Sequence, residues 1–458
     1  MELNLAELSG SPARIVSSAG SNCAENRDAQ ELVLNSGACG LFVETAMTRQ
    51  IGPVPSFQDA MNGLRFKVIS MLDTTGTVSS EYKLSALTRF SSSYFPSSAN
   101  AWLAQKVIAM VRASLSLRDP SQPRYSKFIH GQRDVMAGGE LKAMPSFLHS
   151  LQGAGLLLAG PTGAGKTSFI QRLRACIGEE HTLIRLGGSA PAEMRFLPML
   201  YVRWPDCGTL SGLLGNMRNA LISELGSAET DARAFSNFFG KRGQNIAIAT
   251  CIFLNLGLFV IDGASIRSLR GEYREILNFV ATLQEFSGIP TIVSCTYPVA
   301  QALTRLGGRG ANLSNVGAEY FDLIPAGNLW NRYCQFAWKL GQLDKSLEMP
   351  AHLPDCMWNA SLGNFRIATH GFIAIHHALI NTPNLWASGT LSQDAILGVL
   401  ELNLRAFAEP LKVMHQFGRD GSVSDADLWT HGDYLPFEAF SGTPSCDFEN
   451  KRSHRRGA

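Results

Sequence analysis

The sequence lacks any pair of cysteines at the C-x-x-C spacing of a zinc or redox site, although it holds nine, at 23, 39, 176, 207, 251, 295, 334, 356 and 446. Several sit inside apolar runs, as in "AIATCIFLNLGL" and "TIVSCT". The expected state is therefore free, buried thiols in a reducing compartment. The sequence also lacks a run approaching about 18 uncharged apolar residues, so no membrane-spanning helix is expected. "MELNLAELSGSPARIV" has no basic stretch followed by an apolar core, which argues against a secretory signal and for a cytoplasmic location. The sequence lacks a strong excess of either charge, with a formal net of only +2. That is too little to argue for nucleic acid by itself. The first sixty residues lean acidic, and "KRSHRRGA" closes the sequence with a basic cluster. Such a cluster is expected to be solvated unless DNA or an acidic partner surface takes it up. No internal repeat is visible.

What is present fits a globular protein of more than one domain. The 458 residues suffice for two or three domains, and 45% apolar with 17% charged is an ordinary balance. Residues 1–55 have weak periodicity. From "FQDAMNGLRFKVISML" the pattern turns helical, and "NAWLAQKVIAMVRASLSL" predicts an amphipathic helix with Trp102, Val107, Met110 and Val111 on its apolar stripe. Two prolines in "RDPSQPRYSKF" mark a boundary near residue 120. From about 150 to 327, apolar strands ("GLLLAG", "FLPMLYVRWP", "GLFVID", "PTIVSCT") alternate with helical segments, which predicts a parallel sheet covered on both faces. Residues 328–408 read as wholly helical, and the remainder, punctuated by Gly, Ser and Asp, as loosely attached. The expected organisation is 1–120, 121–327, 328–408 and 409–458.

"GPTGAGKT", Gly160 to Thr167, satisfies G-x-x-x-x-G-K-[ST] with a strand before it and a helix opening at Lys166. In such a loop the glycines let backbone N–H groups wrap phosphates. The expected nucleotide contacts are Gly160, Pro161, Thr162, Gly163, Ala164, Gly165, Lys166, Thr167 and Ser168. Lys166 neutralises the β- and γ-phosphates, the Thr167 hydroxyl ligates Mg²⁺, and the helix N-terminus adds its dipole. Asp262 ends the strand "LGLFVID", where the second magnesium-organising group is needed. Ser294 or Thr296, at the end of the next strand, is placed to hydrogen-bond the γ-phosphate or its attacking water. Arg366, opening a helix after the Gly-Asn of "SLGNFRIA", is expected to reach the γ-phosphate from the helical segment. Arg305 and Arg309 in "TRLGGRGANL" are candidates for an arginine finger acting on a neighbouring subunit, with Arg309 preferred.

In this order the pieces resemble an AAA+ ATPase: phosphate loop, magnesium aspartate, polar strand end, arginine loop, then a helical lid with "GNFR". The segments "FLPMLYVRWPDCGTLSGLLGNMRNALISELG", "LGLFVIDGAS", "FSGIPTIVSCTYPVAQAL" and "LWNRYCQFAWKLGQL" resemble the TnsC/TniB ATPases of bacterial transposons over about residues 105–385. The resemblance implies an α/β fold: a P-loop AAA+ parallel sheet with flanking helices, an all-helical lid after it, and a small, mostly helical N-terminal region before it. It further implies ATP and Mg²⁺ as cofactors and self-assembly as rings or filaments on duplex DNA. The partners it implies are a transposase and a target-selection protein. Lys241 and Arg242, in "FFGKRGQN", would then face the DNA backbone without reading sequence. Two other classes remain open: an AAA+ loader of a helicase or clamp, and a nucleotide-sensing P-loop signalling protein.

One position departs from the pattern. Where that family usually has a water-orienting glutamate after the aspartate, this sequence has Gly263. The expectation is MgATP binding with slow or absent hydrolysis, unless Glu272 or Glu275 on the following helix takes over.

Overall fold

The structure is a computed structural model that describes residues 44–66, 79–142, 144–145, 153–186, 192–226, 236–240, 242–269, 272–304, 308–341, 348–382 and 391–441. The expectations for residues 1–43, Lys241, Arg305 and the basic C-terminal cluster lie outside the described residues. The first helices are α1 (Ala46–Ile51), α2 (Phe57–Leu64), α3 (Ser80–Leu87), α4 (Ser98–Leu117) and α5 (Pro123–Met136). The α/β region then runs β1 (Gly155–Ala159), α6 (Lys166–Ile177), β2 (Thr182–Leu186), β3 (Ala192–Phe196), β4 (Met199–Arg203), α7 (Leu210–Leu225), α8 (Gly243–Phe253), β5 (Leu258–Ala264), α9 (Tyr273–Ser287), β6 (Thr291–Cys295), α10 (Tyr297–Thr304), α11 (Gly308–Asn312) and β7 (Gly317–Tyr320). Helices follow to the end: α12 (Asn328–Leu340), α13 (Leu353–Ser361), α14 (Phe365–Asn381), α15 (Gln393–Asn403), α16 (Ala408–Asp420), α17 (Asp425–His431) and α18 (Glu438–Ser441). No described helix is long and apolar enough to cross a membrane.

The expected fold class holds. Five strands form a parallel sheet in the order β4-β5-β6-β1-β7. Side chains alternate across a strand, so each strand feeds two cores. Leu156, Leu158, Val260 and Ile292 pack with α4 and α6 on one face, while Leu157, Phe259, Ile261 and Val293 pack with α5, α7, α8 and α9 on the other. Burial on both faces is why these strands read as continuous apolar runs. The carboxyl ends of β1, β5 and β6 converge, where such sheets place ligands.

Three local readings need correction. Trp102 is 61% exposed and rests against Phe57 with ring centroids 5.0 Å apart, although Val107, Met110 and Val111 are buried as expected. Helical spacing alone did not fix the edge of the stripe. The helix breaks near residue 120 as expected, between Leu117 and Pro123, and Pro123 sits in the first turn of α5, where its missing N–H costs nothing. "FLPMLYVRWP" is not one strand: Pro198 separates β3, paired antiparallel with β2, from β4 in the main sheet. Lastly, residues 408–441 are not loosely attached. Val413, Met414, Leu428, Leu435 and Phe440 are each at most 4% exposed and belong to the core of the sheet region.

The helical segment has its own core, built on Trp330, Met357, Ile367, Phe372 and Leu400 with Leu87 and Phe90 from the N-terminal side. His376 is fully buried there, with Trp338, Phe90 and Phe372 rings at 5.4, 5.8 and 6.1 Å. Burial pulls its pKa from 6.5 down to about 3. Between those values the unfolded chain binds the proton and the folded chain does not, so this stabilisation is complete above 6.5 and is lost on acidification. The expected cost is about 1.4 kcal/mol per pH unit in that window. Denaturant titrations at pH 7, 5 and 4 should show that His376→Leu loses this slope; a variant as acid-sensitive as the parent would contradict the assignment.

Candidate functional site: a phosphate loop between sheet, lid and C-terminal helices

β1 delivers the chain to Gly160, whose N–H donates to the Cys295 carbonyl at 3.2 Å and ties the loop to β6. The loop then turns through Gly163, at φ +86°, and α6 opens at Lys166. A Cβ at Gly163 would lie 2.3 Å from Asn364 Oδ1, so glycine is needed both for the turn and for the lid's close approach. That lid contact is specific. Asn364 caps α14 by accepting from the Arg366 and Ile367 amides, and its Nδ2 donates to the Thr162 carbonyl at 2.8 Å. The Arg366 amide also donates to the Gly163 carbonyl at 3.2 Å.

Lys166 is buried, and its ammonium donates to the Gly160 and Pro161 carbonyls at 2.6 and 2.9 Å. Desolvation pulls its pKa down to about 8, against the opposing pull of Cys295, Asp262 and Asp433. A phosphate would offer this cation a better partner than two carbonyls. Beside it, Thr167 Oγ1 donates to Asp262 Oδ2 at 2.7 Å, and the Tyr201 hydroxyl donates to the same oxygen at 2.9 Å. Asp262 Oδ1 is buried and has no hydrogen-bond partner among the described residues. An orphaned carboxylate oxygen next to a threonine hydroxyl fits a magnesium shell, in which few protein groups and several waters and phosphate oxygens share the ion. Thr167 and Asp262 would hold Mg²⁺, which would neutralise charge between phosphates.

The loop borders a cavity of about 620 Å³, within the usual range for small-molecule sites. Of the expected site residues, Thr162, Gly163, Gly165, Lys166, Thr167, Ser168, Asp262, Thr296 and Arg366 line it. Gly160, Pro161 and Ala164 do not line it, and Ala164 is buried in the core. The two candidates at the end of β6 separate. Ser294 is fully buried with its hydroxyl unpartnered, whereas Thr296 faces the cavity. Glu272 and Glu275 are exposed, do not line the cavity and, among the described residues, share no hydrogen bond with the phosphate loop or the ends of β5 and β6. Arg309 lies on α11, and its side chain is outside the described residues. Arg242 is exposed at the start of α8, its guanidinium donating to the Gly138 carbonyl.

Gly263 has φ +94° at a bulge where Asp262 pairs with Ser294 and Ala264 with Cys295. The position has lost more than a side chain, because its backbone adopts a form that residues with a Cβ rarely take. Three features escaped the sequence reading. Tyr201 reaches Asp262 from the neighbouring strand β4. Aromatic rings from two distant segments, Phe95 and then Tyr333, Phe336 and Phe365, line the cavity, with Phe365 close to Gly165 of the phosphate loop. Asp433, from the C-terminal helices, meets the loop itself. The Thr162 N–H donates to its backbone carbonyl at 2.6 Å, and Thr296 Oγ1 donates to its Oδ1 at 2.6 Å.

No family model and no curated protein matches the chain. Among solved structures, a Walker-type ATPase of Pyrococcus abyssi is similar at 14% identity and a TM-score of 0.35, over 62% of this chain and 85% of that one. The structure of Drosophila ORC bound to DNA is similar at 10% identity and a TM-score of 0.33, over 87% and 90%.

Proposed function

We propose that this chain is an AAA+-type MgATP-binding regulator of DNA transposition, which assembles with copies of itself on duplex DNA and links a target-selection protein to a transposase. The observation that carries the nucleotide reading is the unpartnered Asp262 Oδ1, set beside Thr167 and the buried Lys166 under a lid docked on the same loop. A mere glycine-rich turn has no reason to bury a cation and half a carboxylate together. Asn364 and the Arg366 amide tie the lid to the loop, so phosphates in the loop would bias lid angle and, with it, contacts between copies. The transposition role is supported by the motif resemblance over about residues 105–385. Lys241 and Arg242 would supply sequence-independent backbone contacts.

The expected result on random-sequence duplex is a gel shift that needs MgATP and weakens steeply with salt. Negative-stain images of the mixture should show filaments or DNA-encircling rings. Small discrete complexes would favour a helicase or clamp loader instead. No shift at any nucleotide state would favour a signalling protein that acts on protein partners.

A further inference from the structure

β5 ends without a carboxylate after Asp262, yet a carboxylate does stand beside Thr296. It belongs to Asp433, in a single 3₁₀ turn at Gly432–Tyr434. Its Oδ1 accepts from the Thr296 hydroxyl at 2.6 Å and from the Ile266 amide at 2.9 Å. Its backbone carbonyl accepts from Thr162 of the phosphate loop at 2.6 Å. One residue thus bonds to the phosphate loop, the turn after β5 and the end of β6, the three places that surround the terminal phosphate in a P-loop site. Its second oxygen, Oδ2, has no hydrogen-bond partner among the described residues; Asp433 does not itself line the cavity, and Thr296, which holds its Oδ1, does.

The delivery of this side chain is built into the fold. Gly432 is buried near Ile266, and Leu428, Leu435 and Phe440 anchor the turn in the core of the sheet region. Phe437 lies against Tyr297 and Tyr320 with ring centroids at 5.5 and 5.7 Å, and Gln301 donates to the Phe440 carbonyl at 3.1 Å. Burial raises the pKa of Asp433, and the Thr296 hydroxyl, the Ile266 amide, Lys166 and Arg267 pull it back. A carboxylate desolvated beside a phosphate loop is a costly way to fill space, and such groups concentrate where proton transfer is needed.

We propose that Asp433 is the water-positioning carboxylate of the nucleotide site, supplied in cis by the C-terminal helices in place of the glutamate that Gly263 lacks. The proposal rests on the reading of the phosphate loop as an MgATP site. Oδ2 accepts a proton from a water whose oxygen bonds to the γ-phosphorus. The bond from that phosphorus to the β,γ-bridging oxygen breaks, and ADP leaves with the electron pair. The proton then passes from Asp433 to the released phosphate. Thr296 holds Oδ1 and fixes the carboxylate's orientation.

The experiment uses the full chain with random-sequence duplex and compares Asp433→Asn, Asp433→Ala and Asp433→Glu. It measures steady-state phosphate release, and separately the affinity for a fluorescent non-hydrolysable ATP analogue and for ADP. Loss of the base is expected to lower kcat at least about a hundredfold in the Asn and Ala variants, with KM changed only a few-fold. Analogue affinity is expected to hold or tighten relative to ADP as the negative charge is removed, and Asp433→Glu to keep part of the rate. Wild-type turnover in Asp433→Asn overturns the proposal, as does the absence of phosphate release by the parent. Faster turnover in that variant also overturns it and makes the segment a plug on the site. Loss of analogue binding in the variant alone makes the role structural. Failure of the parent to bind the analogue sinks the MgATP reading instead.

Discussion

Lys166→Ala is expected to weaken MgATP binding by at least about a hundredfold while leaving the fold intact. Each charge-assisted hydrogen bond from an ammonium contributes about 1.5–3 kcal/mol, and every 1.4 kcal/mol is about tenfold in affinity. Among the described residues this ammonium donates only to the Gly160 and Pro161 carbonyls, and burial already pulls it toward its neutral form. Removing it therefore relieves a desolvation cost at the same time as it strands two acceptors. These effects oppose each other, so the melting temperature should move by only about 3 °C or less. Binding of a fluorescent ATP analogue read alongside a thermal melt separates the two. Unchanged affinity would mean that the loop holds no phosphates.

Ending the chain after Phe407 is expected to be the most damaging deletion, for a reason invisible in composition. Residues 408–441 contribute Val413, Met414, Leu428, Leu435 and Phe440 to the core of the sheet region. At about 2 kcal/mol for each large apolar side chain, the loss approaches about 10 kcal/mol as an upper bound, similar to the whole net stability of a domain. Soluble yield should collapse, and any soluble fraction should melt at least about 10 °C lower. A truncated protein that melts with the parent would show the segment to be the loose appendage that its Gly, Ser and Asp punctuation suggests.

These outcomes also mark what was legible in the sequence. The phosphate loop was, because its chemistry is contiguous: eight residues, two glycine-dependent turns and a helix start. Asp262 was legible because an apolar strand buried on both faces has to end somewhere, and its first polar residue marks the end. The choice between Ser294 and Thr296 was not. Both are small and polar, and only the sheet shows that the residue beyond the strand, not the one within it, faces the cavity. Asp433 left no signal at all. Its side-chain partners are 137 and 167 positions away, and nothing near "HGDY" marks it as more than a turn. Glu272 and Glu275 misled for the converse reason, being near in sequence to Asp262 but exposed. Long-range placement of a single polar side chain depends on packing, which residue patterns report only for apolar faces.

Thr162 is held from two directions at once: its carbonyl by Asn364 and its N–H by Asp433. One residue therefore serves as a common knot for two arms that join the chain far apart. Any coupling between the two arms through this knot has to be equal in both directions.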